Sequence, residues 1–175
     1  MTAGTRPGLI LGIDPGTTGM GYAFLDTSRE PPRVLDRGII ATLAGGSSAE
    51  RLLAIADALD RLITANRPVA VALERLYFNK NARTAMAVAE ARGIALLCAA
   101  RAGLEVAEYT PSEVKIAVTG NGAADKRQVQ QMIALVLGLE RPIREDNVAD
   151  AVAIALTHSQ RARFAAAVIV AEARA

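Results

Sequence analysis

The sequence predicts an α/β fold, a mixed five-stranded sheet flanked by helices, and three observations predict it. Short apolar runs and longer segments of helical period follow one another, three runs first and then helices alternating with further runs before a helical end. Apolar residues make up 51% of the 175 positions but aromatics only 3%, so the core is built from Ala, Val, Leu and Ile, which suits helices packed closely on a sheet. No internal repeat or low-complexity linker divides the chain, so residues 1–175 are expected to form one domain.

Each element has its own signal. Residues 8–14 are an apolar run ending in Asp-Pro-Gly, a strand followed by a turn. Residues 19–25 and 33–40 follow at hairpin-like spacing and complete an antiparallel meander. Ser47 or Ser48 caps a helix whose apolar positions Leu52, Leu53, Ile55, Ala56, Leu59, Leu62 and Ile63 recur at helical period, and Pro68 closes it. Residues 69–73 are continuously apolar, as in a strand buried on both faces. Residues 81–101 form an Ala-rich helix closed by Gly103, and residues 105–109 a short strand. Thr110-Pro111-Ser112-Glu113 is a capping box with proline at the first helical position. Two further helices span residues 126–137 and 147 onward, parted by a turn with Gly138 and Pro142.

Several function classes are set aside. The single cysteine, Cys98, lies in an apolar run with no histidine nearby in sequence to activate it, and reads as a buried structural thiol. Residues 1–8 lack the apolar stretch of a secretion signal, and the longest apolar run, residues 164–171, is too short to span a bilayer. A cytoplasmic protein with no membrane partner is expected. Net charge is +2, but committing four acids to metal leaves 14 others against 20 basic residues, enough to meet phosphates.

Three distant segments each end or begin on carboxylates. Asp14 ends the first strand, and Glu74 follows the apolar run Val-Ala-Val-Ala-Leu. Glu145-Asp146-Asn147-Val148-Ala149-Asp150 leads into an apolar helix, where 146 and 150 share a face, as do 147 and 150. Taken singly, Asp14 is equally well a turn aspartate, Glu74 a solvated strand end and Asp146 a charge complementing the helix dipole. Together they point to metal. Crowded carboxylates repel, burial worsens that, and a divalent ion such as Mg²⁺ or Mn²⁺ resolves it through hard oxygen ligands. Two such ions would activate a water and stabilise the leaving oxygen of a phosphodiester. The one histidine, His158, lies two turns beyond Asp150 and reads as structural or surface.

These residues, in this order, resemble the RuvC family of Holliday junction resolvases, which have the RNase H-like fold. The blocks that carry the resemblance are Leu-Gly-Ile-Asp-Pro-Gly (11–16), Leu-Glu (73–74), Lys-Asn-Ala (80–82) and Ala-Arg-Gly (91–93). They continue with Tyr-Thr-Pro-Ser-Glu-Val-Lys (109–115), Lys-Arg-Gln-Val-Gln (126–130) and Ala-Asp-Ala-Val-Ala-Ile-Ala-Leu-Thr-His (149–158). The resemblance implies a homodimer that binds a four-way DNA junction and nicks two opposed strands symmetrically, leaving 3′-hydroxyl and 5′-phosphate ends. It places Asp14, Glu74 and Asp150 on the family's catalytic acids. Where the family has Asp or His three residues before Asp150, this chain has Asn147, so either Asp146 or Asn147 is expected to complete the site.

The resemblance also implies a DNA-binding set. An aromatic at the position of Tyr77 stacks against bases at the opened junction, while Phe78 is expected to pack in the core. The three lysines, Lys80, Lys115 and Lys126, fall on positions that face DNA, with Asn81 beside the first. Lys115 or Lys126 would contact the scissile phosphate. The helix at 81–101 is expected at the dimer interface, and the implied partners are the branch-migration proteins RuvA and RuvB. Three other readings remain: an actin-like ATPase or sugar kinase, from the Gly-Ile-Asp-Pro-Gly-Thr-Thr turn; a junction-binding protein that does not cut; and a nuclease for RNA–DNA hybrids.

Overall fold

The computed structural model describes residues 8–43, 45–75 and 82–173. Among them, five strands form one sheet in the order β3-β2-β1-β4-β5. β1 (Leu9–Asp14), β2 (Gly19–Asp26) and β3 (Arg33–Ala41) make the expected antiparallel meander. β4 (Ala70–Glu74) and β5 (Glu105–Tyr109) add on in parallel, each after a crossover helix. The expected mixed α/β architecture is therefore what the chain adopts.

Strand alternation sorts the side chains onto two faces. Leu9, Leu11 and Ile13 of β1, with Val71 and Leu73 of β4, pack under α1 (Ser48–Asn66) and α2 (Ala82–Arg101). Ile10 and Ala72 face the other way, with Ala23 and Leu25 of β2, beneath α5 (Asp146–Glu172) and its neighbours α3 (Pro111–Thr119) and α4 (Lys126–Val136). By the same alternation Asp14 and Glu74 belong to the α5 face, two residues beyond Gly12 and Ala72.

The helix starts follow the expected chemistry. Ser47 caps α1 with Glu50 returning to the Ser47 N–H, and Thr110 caps α3 with Glu113 and Pro111. Asp125 and Gln128 close a third box, which makes Lys126 the first residue of α4. Cys98 is fully buried under α1, and burial pushes its thiol up to about 12, so it stays protonated and inert.

Backbone contact between α5 and the sheet is the feature that positions the site. A Cβ built on Gly12 would lie 2.1 Å from the Ala151 carbonyl oxygen, and one on Gly21 would lie 2.0 Å from that of Asn147. Only glycine lets the helix settle so low. Asn147, Ala151 and Ala155 recur every fourth residue, so this one helix face rests on the two strand glycines.

α5 outruns the sheet. Its buried residues end at Ser159, while residues 160–173 are exposed, Phe164 and Ile169 among them. Arg161 and Arg163 pair with Glu113 and Glu30 along that stretch. No helix among the described residues is long and apolar enough to cross a membrane.

Candidate active site

Asp14 and Glu74 meet because β1 and β4 are adjacent and parallel. Ile13 pairs with Leu73, so each strand's next residue is an acid, and both acids stand at the carboxyl ends of the strands. This is the middle of the sheet rather than a lateral edge. Asp14 also sits opposite Gly21 of β2, the glycine on which the first turn of α5 rests. Asp150, one turn into α5 and next to Ala151, thereby joins the two strand acids.

The electrostatics bear the marks of that crowding. Burial, then the charges of Asp150 and Glu74, hold the Asp14 carboxyl up to about 7, with Lys126 opposing. Burial and Asp150 likewise raise Glu74, and burial raises Asp150 against the pull of Lys126. Three carboxyls that keep their protons this readily form a site short of positive charge.

Lys126 supplies part of it. Its Nζ lies 3.2 Å from Asp146 Oδ2 and 3.3 Å from Asp150 Oδ2. Partial burial works against the ammonium, but Asp150 and Asp146 outweigh it and raise its affinity for the proton. Glu74, Asp150, Lys115 and Lys126 line a cavity of about 260 Å³ between α3, α4 and α5, floored by Val114, Val129 and Ile154.

The donor set fits a divalent cation. Hard carboxylate oxygens of Glu74 and Asp150 line the cavity, and an ammonium already stands 3.3 Å from one of them. Among the described residues no three acidic, His or Cys side chains are grouped closely enough to hold an ion, so Asp14, Glu74 and Asp150 are neighbours and not a formed metal cage.

The remaining expected residues divide clearly. The carboxylate of Asp146 is turned to α4, where Gln130 Nε2 donates to Oδ1 at 3.0 Å while Lys126 holds Oδ2. Asn147 uses its amide to donate to the Gly19 carbonyl at 2.9 Å, tying α5 to the start of β2. His158 is removed from the acids; Tyr109 Oη lies 2.8 Å from its Nδ1, and burial lowers its proton affinity. Tyr77, Phe78, Lys80 and Asn81 lie outside the described residues.

Sequence reasoning missed Gly12, Gly21 and Gln130. A signal existed for the glycines, since glycine inside a strand marks close backbone approach, and the alternating alanines of the last helix offer the matching surface. Gln130 had none, because its value depends on where α4 crosses α5.

Sheet order and acid placement define an RNase H-like nuclease. The family model described as "Crossover junction endodeoxyribonuclease RuvC" matches residues 10–158, and the chain belongs to the RuvC family. Curated relatives of that name include one from Moorella thermoacetica, 50% identical over 86% of this chain and 90% of its own length. Another, from Rubrobacter xylanophilus, is 47% identical over 95% of this chain and 93% of its own. Among solved structures, Thermus thermophilus RuvC in complex with Holliday junction substrate superimposes with a TM-score of 0.85 at 35% identity, covering 90% of this chain and 96% of that one. The yeast mitochondrial Holliday junction resolvase has a TM-score of 0.63 at 14% identity over 86% of this chain and 78% of its own, a likeness of fold alone.

Proposed function

We propose that this chain resolves four-way DNA junctions by nicking two opposed strands symmetrically, with Asp14, Glu74 and Asp150 as the acids that bind two divalent ions, Mg²⁺ or Mn²⁺. The observation that carries the reading is that paired β1 and β4 set Asp14 and Glu74 side by side at their carboxyl ends, where Asp150 of α5 lines the same cavity as Glu74. Buried carboxylates crowded together from three segments repel one another, and a cation relieves that repulsion. Divalent ions there would polarise the phosphodiester and lower the pKa of the attacking water. The protein's own part is to aim the three carboxylates at one point and to screen the incoming phosphate. Lys115 and Lys126, on the wall of the cavity that Glu74 and Asp150 also line, face that phosphate as fixed positive charges. Tyr77, Lys80 and Asn81, which follow Glu74 in the chain, extend the DNA surface, with Tyr77 stacking on an unpaired base for about 1–3 kcal/mol.

Symmetric nicking requires two active sites, and α2 is the surface we assign to a homodimer. Met86, Glu90, Gly93 and Leu97 are exposed and recur at the spacing of one helix face. A Cβ on Gly93 would meet nothing within 4 Å, so nothing among the described residues calls for glycine there. A second helix lying close across that face would. One cytoplasmic nuclease domain acting with the branch-migration proteins RuvA and RuvB completes this reading, supported by family membership.

The test is cleavage of an end-labelled synthetic four-way junction with Mg²⁺ or Mn²⁺, beside Asp14→Asn. Paired nicks in opposed arms, lost in the variant, are expected. Junction binding without cutting under either ion overturns the nuclease reading.

A further inference from the structure

We propose that Asp146 is a positioning residue that holds Lys126 at the rim of the acidic site, and that it does not itself ligate metal. The inference rests on the reading of Asp14, Glu74 and Asp150 as the metal-binding acids.

Two pairs of residues one helical turn apart face each other across α4 and α5. Lys126 and Gln130 stand on α4, and Asp146 and Asp150 on α5. The lysine Nζ is shared, 3.2 Å from Asp146 Oδ2 and 3.3 Å from Asp150 Oδ2. Gln130 Nε2 takes the other oxygen of Asp146 at 3.0 Å. Both oxygens of Asp146 are therefore engaged from α4, and to reach an ion beside Asp14 it would have to release both partners. The neighbouring Asn147 is no substitute, since its amide is spent on the Gly19 carbonyl.

The sharing has a consequence for metal binding. A dication arriving at Asp150 repels the ammonium that stands 3.3 Å from it. With Asp146 present, Lys126 keeps a second carboxylate that it already contacts, and Gln130 holds that carboxylate in place. The lysine then stays on the wall of the cavity, where a phosphate would meet it. Without Asp146, its acidic partner in this cluster is Asp150, and it competes with the ion for that oxygen. Asp146 acts through Lys126, on the terms by which the site exchanges an internal cation for an external one.

A double-mutant cycle read by metal affinity separates this role from direct ligation. Mn²⁺ binding would be followed by the electron paramagnetic resonance signal of the free ion, in wild type, Asp146→Asn, Lys126→Met and the double variant. The expected result is weaker binding in Asp146→Asn, on the order of two- to fivefold for a half-exposed charge pair. Lys126→Met should bind more tightly than wild type, and in that background Asp146→Asn should have no further effect. An equal loss with and without Lys126 makes Asp146 a ligand and overturns the proposal, as does an unchanged affinity in Asp146→Asn. Asp14→Asn serves as the control for the underlying reading. If it leaves Mn²⁺ binding intact, the acid cluster is not the metal site, whatever Asp146 does.

Discussion

Replacing Asp14 by asparagine should make the metal-free protein more stable at neutral and alkaline pH, and should leave it unchanged near pH 4. The isosteric amide removes the charge and keeps the volume. In the folded chain the Asp14 carboxyl sits at about 7 against a reference of 3.8, because it is buried and faces Asp150 and Glu74. As pH rises from about 4 to 7, the unfolded chain gives up this proton while the folded chain keeps it. The unfolded state is favoured through that window, so wild type loses stability there and the loss levels off above pH 7. A shift of about three units at 1.36 kcal/mol each sets a ceiling of about 4 kcal/mol. The amide must itself be desolvated, so a gain of about 2 kcal/mol is the expected net. For a chain of this size that raises Tm by roughly 4–8 °C. Thermal melts of wild type and Asp14→Asn in EDTA at pH 4, 5.5, 7 and 8.5 would show the difference growing with pH and then flattening. Saturating Mn²⁺ should reverse the order, because the ion stabilises the wild-type cluster far more than the variant. A difference independent of pH, or a variant less stable than wild type at pH 8.5 in EDTA, would refute the claim that burial and the neighbouring carboxylates raise the Asp14 carboxyl.

Gly12→Ala or Gly21→Ala places a Cβ about 2 Å from a carbonyl oxygen of α5, so the helix must lift. Urea denaturation should show a loss of about 1–3 kcal/mol, and junction cleavage should fall further than stability does because Asp150 moves with the helix. Asn147→Asp replaces the donor to the Gly19 carbonyl with an acceptor, and should cost about 1–3 kcal/mol at neutral pH in the same assay. Improved stability would show that the tether matters less than the helix dipole. Lys115→Met should lower the cleavage rate about 100-fold at saturating junction, with melting temperature unaffected, if its ammonium meets the phosphate in the transition state. Gly93→Leu should leave the protomer folded by circular dichroism and, with the proposed homodimer formed through α2, give a monomer in light scattering where wild type gives a dimer. A persistent dimer would remove α2 from the interface.

What the sequence revealed and what it hid follow from the range of the interactions involved. Strands, helices and capping boxes are local, and Ser47 with Glu50 or Thr110 with Glu113 can be read from spacing alone. The convergence of Asp14 and Glu74 was legible too, because an apolar run that stops on an acid announces a strand end, and parallel neighbours share their ends. The fourth position was not. Deciding between Asp146 and Asn147 depends on how α5 is rotated, and that is set by Gly12 and Gly21, more than a hundred residues away in the chain. With Asn147 and Ala151 pressed against the strand glycines, Asn147 donates to the Gly19 carbonyl. Asp146, one residue earlier, is rotated about 100° around the helix and turns toward α4, where Lys126 and Gln130 receive it. Asp150 sits between these two directions, near enough to Lys126 for an ion pair and near enough to Asp14 to raise its proton affinity. One helix rotation thus assigns all three residues: a tether at Asn147, a lysine anchor at Asp146 and a member of the acid cluster at Asp150.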